Sequence, residues 1–141
     1  SKAGVPVLQE CKTTIREAKA QKLDELRLYD SSEEVNQFSI NKVFGWFNKS
    51  TRVGLANSIN IEREVGRSKT NIWLGDTLFI LPIEKAIDML CQLELYALTC
   101  YNVTQGHINI INQLETKESI EFYDFRIGYP KKLSFTGYPT L

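Results

Sequence analysis

Leu81-Pro82-Ile83-Glu84-Lys85-Ala86-Ile87-Asp88-Met89-Leu90-Cys91-Gln92-Leu93-Glu94-Leu95-Tyr96-Ala97-Leu98-Thr99-Cys100-Tyr101 is the longest apolar-periodic stretch of the chain. Pro82 suits a first helical turn, where its missing N–H would have no intrahelical partner in any case. Ile83, Ala86, Ile87, Leu90, Leu93, Ala97 and Tyr101 recur at helical steps and share one face. Leu95 and Leu98 widen that face, which predicts a helix covered on more than one side and serving as the floor for the rest of the chain.

Immediately upstream, Thr70–Leu74 and Thr77–Leu81 flank Gly75-Asp76. Glycine at the first central position satisfies a type II′ turn, so a β-hairpin is expected to run straight into the helix. A second hairpin is expected over Val35–Phe47, turning at Asn41-Lys42. Between the hairpins, Thr51–Val65 carries Val53, Leu55, Ala56, Ile59 and Ile61 at helical positions, with Asn48 or Ser50 as N-cap and Gly66 as a left-handed C-cap. Gly54 inside this helix suggests close approach by another backbone.

Downstream, Asn102 and Thr104 are expected to break the long helix and cap a second one bearing Val103, His107, Ile108, Ile111 and Leu114. Thr116 caps a short helix through Ile120 and Tyr123. From Phe125 onward the chain is aromatic and turn-rich without a period, which predicts an ordered cover on the surface. At the other end, Leu8, Cys11, Ile15, Ala18, Leu23 and Leu26 form an irregular stripe, as in a helix that needs a partner. That partner is either the body of the domain or the same helix of a second subunit, making a homo-oligomer. Asp30-Ser31-Ser32 then supplies turn chemistry.

These elements predict an α+β fold: a small antiparallel sheet from two hairpins with a helix between them, packed against two or three C-terminal helices and preceded by an N-terminal helix. The expected division is a helical extension over residues 1–29 and one domain over 30–141.

Seventeen basic residues balance seventeen acidic ones. No basic excess argues for nucleic acid or an anionic membrane as partner. No run approaches the roughly 20 apolar residues of a spanning helix, and the first residues lack the apolar core of a signal peptide. Cys11, Cys91 and Cys100 form no Cys-x-x-Cys pair, and buried free thiols in a reducing compartment are expected.

No catalytic residue, metal site or cofactor site is predicted. His107, the sole histidine, lies on an apolar helical face without a cysteine or carboxylate at ligand spacing and reads as a packed or capping residue. Gly-x-Ser-x-Gly patterns and phosphate-cradling glycine loops are missing from the sequence. Glu84, Asp88 and Glu94 with Lys85, and likewise Glu62 with its neighbours, read as solvated charge. Phe44, Trp46, Phe47, Trp73 and Phe79 gather in the predicted strands, where core packing is the favoured role and a stacking or partner surface the alternative.

The order of features resembles a small domain family, itself classed as of unknown function, that recurs in phage and prophage tail genes near or within tail-fibre proteins. The resemblance covers Glu34 to Leu133. It rests on the strand Gln37-Phe38-Ser39-Ile40, the cap and arginine in Asn48-Lys49-Ser50-Thr51-Arg52, the strand Ile72-Trp73-Leu74 leading to the long helix, the capped helix from Thr116, Tyr123-Asp124-Phe125, and the ending Gly128-Tyr129-Pro130. Gly-Tyr-Pro is similar to prophage forms of gut Bacteroides-like bacteria, in place of the commoner Gly-Trp-Pro. The resemblance implies a non-enzymatic structural or fibre-assembly protein, located in the virion or in the host cytoplasm during assembly, with other tail or fibre proteins as partners. A carbohydrate-binding or host-recognition module is the alternative, and a small enzyme would need His107 beside a carboxylate in a pocket. Arg52, Trp46, Trp73, Tyr123, Asp124, Tyr129 and Pro130 are the structural or partner-binding candidates, with Arg52 expected to pair with Asp124.

Overall fold

The computed structural model describes residues 5–138, with side chains from residue 12 onward. Helix α1 (Val5–Asp30) precedes strands β1 (Phe38–Ile40) and β2 (Val43–Gly45), helix α2 (Lys49–Glu64), and strands β3 (Lys69–Leu74) and β4 (Thr77–Pro82). Helices α3 (Ile83–Gln113) and α4 (Lys117–Glu121) and strand β5 (Ser134–Phe135) complete an α+β fold.

Both expected hairpins form, for the expected reasons. Asn41 and Lys42 have φ of 49° and 68°, the paired left-handed residues of a type I′ turn. Gly75 has φ of 59° while Asp76 stays negative, as a type II′ turn requires. The hairpins do not merge into one ladder. β2-β1-β5 is a three-stranded sheet and β3-β4 a separate pair. β5, within the tail expected to be mere cover, is parallel to β1, with Ser39 opposite Ser134 and Ile40 opposite Phe135. Asn41 extends this pairing through its side chain: Nδ2 donates to the Tyr138 carbonyl, and the Tyr138 N–H donates to Oδ1. A two-residue strand offers too little periodicity to be read from sequence.

Asn48 caps α2, its Oδ1 accepting the Thr51 N–H at 2.9 Å. Gly54 faces open space: a Cβ at that position would have nothing within 4 Å, so the expected close approach there is corrected. Gly45 is where the chain does come close, since a Cβ there would lie 2.4 Å from Cδ1 of buried Leu74. Pro82 closes β4 opposite Lys69, and α3 begins one residue later, at Ile83. The expected break at Asn102 and Thr104 is absent. α3 runs through both, because Thr104 is buried and its hydroxyl finds tertiary partners rather than capping a new helix.

The chain forms two compact units. One comprises α1 through Val35 together with Cys100–Tyr129, so α1 belongs with the later part of α3 and with α4 instead of standing as a separate extension. Leu26, Ile111 and Phe125 are its core, joined by Leu23, Tyr29, Ile108 and Tyr123. Two lysines of α1 cap carbonyls at helix ends: Lys19 Nζ donates to Asn112 O at 2.7 Å and Lys22 Nζ to Glu121 O at 2.9 Å. The other unit comprises Asn36–Thr99 and the segment from Pro130 onward. Its core includes Phe38, Ile72, Phe79, Leu81, Met89 and Leu93, so α3 from Ile83 to Leu93 is a buried floor as its periodicity predicted, whereas Leu95, Leu98 and Tyr101, expected to extend the covered face, are exposed. Cys100 is buried as expected, Cys91 is exposed, and Cys11 lies outside the described side chains.

Candidate functional site

In the Asn36–Thr99 unit, Arg52 is the one charged side chain among the described residues that is almost wholly buried, at 6% exposure. As the fourth residue of α2 it directs its guanidinium toward α3, where Nε donates to Glu94 Oε1. Nη1 donates to the Phe47 carbonyl at 2.7 Å. The guanidinium carbon lies 5.4 Å from the Trp46 ring centre, within cation–π range. Trp46 in turn meets Phe38 and Tyr96 edge-on. The expected Arg52–Asp124 pair is therefore corrected to Arg52–Glu94. Asp124 is exposed and its Oδ1 accepts the Arg126 N–H at 3.0 Å, a local turn that solvates the carboxylate without a cation. Glu94 correspondingly leaves the class of simply solvated charges.

Trp73 has a different fate from Trp46. Along β3, Thr70, Ile72 and Leu74 are buried, while Lys69, Asn71 and Trp73 face outward. The register sets Trp73 opposite Leu78 and Asn71 opposite Ile80, so the outer face of this hairpin carries Trp73, Leu78 and Ile80 together. Trp73 is 59% exposed, and Phe44 on β2 is exposed as well. Core packing, the favoured reading for the strand aromatics, holds for Phe47 and Phe79 and fails for these two. At the base of β3 the Thr70 hydroxyl donates to Glu62 Oε1 at 2.6 Å, and Arg67 donates to the other oxygen. Those two bonds, Thr70 first, hold the Glu62 carboxyl below its ordinary range.

In the other unit, Tyr123 and Tyr129 fasten the loop after α4 to α3. The Ile127 carbonyl can only accept, so His107 Nε2, 2.7 Å away, carries the proton. In the neutral ring Nδ1 is then an acceptor, and it takes the Tyr123 hydroxyl hydrogen. One turn earlier on α3, the Thr104 hydroxyl donates to Asp30 Oδ1 at 2.8 Å, and Tyr129 donates to Thr104 at 2.6 Å. Burial, before any other cause, pushes both tyrosine hydroxyls above their ordinary range. Gly128, with φ of 97°, supplies the left-handed residue that sets Tyr129 against the Tyr29 ring, 5.3 Å between centres. Pro130 follows, half-buried. The arrangement leaves neither imidazole nitrogen open to a substrate, and its chemical capability is to hold the loop in place. Among the described residues, the hydrogen-bond partners of His107 are a phenol and a peptide carbonyl.

The sequence points to Arg52, Tyr123 and Tyr129, but it marks Glu94 only as surface charge, Thr104 only as a cap, and Asp30 and Asn41 only as turn residues, without their tertiary partners. The one available signal was the three-residue spacing of Thr104 and His107, which places two polar groups on one face of an otherwise apolar helix. Among the described residues no three potential metal ligands cluster, and no helix is long and apolar enough to cross a membrane. Compared with known proteins, the chain matches no family model, no curated protein and no solved structure.

Proposed function

We propose that this protein is a non-enzymatic component of a phage or prophage tail, a structural or fibre-assembly protein that works through contacts with other tail or fibre proteins. The observation that carries the reading is the outward face of the β3-β4 hairpin, where Trp73, Leu78 and Ile80 lie side by side on a short sheet. An exposed indole beside half-buried aliphatic side chains suits the centre of a protein contact. The ordered resemblance from Gln37 to Pro130 to tail-gene domains supplies the kind of partner. Arg52 and Glu94, in the same unit as the hairpin, brace α2 against α3 and are not themselves part of the contact face. Self-association belongs to the same proposal, with α1 contributing exposed Leu28.

The test is the content of purified particles. Mass spectrometry of particles and of tail intermediates from an induced lysogen is expected to detect the chain in stoichiometric amount, and its absence from both refutes the reading. Light scattering on the full chain gives its oligomeric state. The exposed Trp73 also favours a second reading, a carbohydrate-binding or host-recognition module, since an indole face beside the Asn71 amide can stack a sugar ring. A glycan array separates the two: binding that Trp73→Ala abolishes supports the second, and silence removes it.

A further inference from the structure

The assembly reading leaves unused a cleft between α2 and α3 in the Asn36–Thr99 unit. Its volume is about 380 Å³, within the range of sites for small organic molecules. Ala56 of α2 and Ile87, Leu90 and Leu95 of α3 give it carbon walls. Arg52 and Asn60 are two turns apart along α2, so they stand toward opposite ends, roughly 12 Å from each other at about 1.5 Å per residue. The lining is therefore elongated, apolar along its length, and polar where Arg52 meets Glu94.

Arg52 adds a directional feature. Its Nε and Nη1 are committed to Glu94 and to the Phe47 carbonyl, and Nη2 has no acceptor among the described residues. No side-chain nitrogen or oxygen sealed from solvent lacks a partner among those residues. Nη2 is therefore not sealed from solvent, and Arg52 is among the residues that line this cleft. The donor is fixed in advance by an ion pair, a carbonyl and the Trp46 ring, so a ligand does not have to order it. Glu94 neutralises the guanidinium and sits in the same lining. An anionic head group would meet that carboxylate, whereas a neutral carbonyl oxygen would meet only the free N–H.

We propose that the α2–α3 cleft is a binding site for a small uncharged amphiphile, an aliphatic chain ending in a carbonyl group such as a primary amide. The chain lies along Ala56, Ile87, Leu90 and Leu95, and the carbonyl oxygen accepts from Arg52 Nη2. The experiment is a titration of the uniformly ¹⁵N-labelled full chain with octanamide, with octanoate as comparator, followed by amide shifts and the Arg52 Nε–H signal. Saturable shifts confined to α2, α3 and Arg52 are expected, with octanoate weaker by at least about tenfold through repulsion by Glu94. Cys91→Phe at the exposed rim keeps the fold and is expected to abolish the shifts, as is Ala56→Phe, which fills the wall. Octanamide shifts that stay linear, that map elsewhere, or that survive in a folded Cys91→Phe protein overturn the proposal, as does octanoate binding equally well.

Discussion

Glu94→Gln keeps the shape of the side chain that meets Arg52 and removes its charge. The magnitude follows from who is buried. Removing one partner of a fully buried pair costs about 3–5 kcal/mol, and exposed pairs contribute about 0.2–1 kcal/mol. Here the Arg52 side chain is 7% exposed and that of Glu94 45%, so water already screens the carboxylate. The expected loss is about 1–2 kcal/mol, well below the fully buried case. Arg52→Met is expected to cost about 2–4 kcal/mol, because it also orphans the Phe47 carbonyl and strips the cation from Trp46. Urea unfolding read by tryptophan fluorescence is the assay, since Trp46 and Trp73 both lie in the Asn36–Thr99 unit and report that unit alone. The double variant should show coupling of about 1–2 kcal/mol between the two positions. Coupling below about 0.3 kcal/mol, with Glu94→Gln as stable as the parent, would mean that Arg52 is held by packing and not by its partner.

Tyr123→Phe deprives His107 Nδ1 of its donor and should destabilise the α1–α4 unit by about 1–3 kcal/mol, seen as faster hydrogen exchange at residues after α4; unchanged exchange there refutes the fastening role. Gly45→Ala drives a methyl into Leu74 and should cost about 1–3 kcal/mol by overpacking, against the usual gain for Gly→Ala at an open site such as Gly54. Thr70→Val should raise the Glu62 carboxyl toward its ordinary value of 4.5, leaving Arg67 to hold it partway down, as read by carbon-detected carboxylate titration. Because Glu62 is depressed in the folded chain, its contribution is present above that ordinary value and lost as pH falls through the folded one. The stability gap between parent and Thr70→Val should accordingly close on acidification.

The parts of the fold that local chemistry determines could be read directly. Gly75 and Asn41 specify their turns, Asn48 and Thr116 their caps, and the stripe from Ile83 to Leu93 its buried face. What could not be read depends on groups far apart in sequence. Thr104 looks like a cap until Asp30 and Tyr129 arrive to bond it, after which the helix continues through it. Ser134 and Phe135 become a strand only because β1 has an open edge beside them. Arg52 is identifiable from the sequence as a residue that matters, but its partner is not. Glu94 and Asp124 are both carboxylates, and only the three-dimensional course of α3 brings one of them to the guanidinium. The candidate surface divided in the same manner. Period-two alternation in Thr70–Leu74 places Trp73 on the face opposite Ile72, and whether that face is covered is a tertiary fact that alternation does not carry.

In the proposed role, the outward hairpin face is where this protein meets a tail partner. The most direct test of that claim is incorporation of Trp73→Ser, a change at a side chain that is 59% exposed and so leaves the core untouched. Quantitative mass spectrometry of particles and tail intermediates should show the parent chain present and the variant, equally abundant and folded in the cell, depleted at least about tenfold, the effect of losing a central aromatic contact. Equal incorporation of parent and variant would contradict the claim.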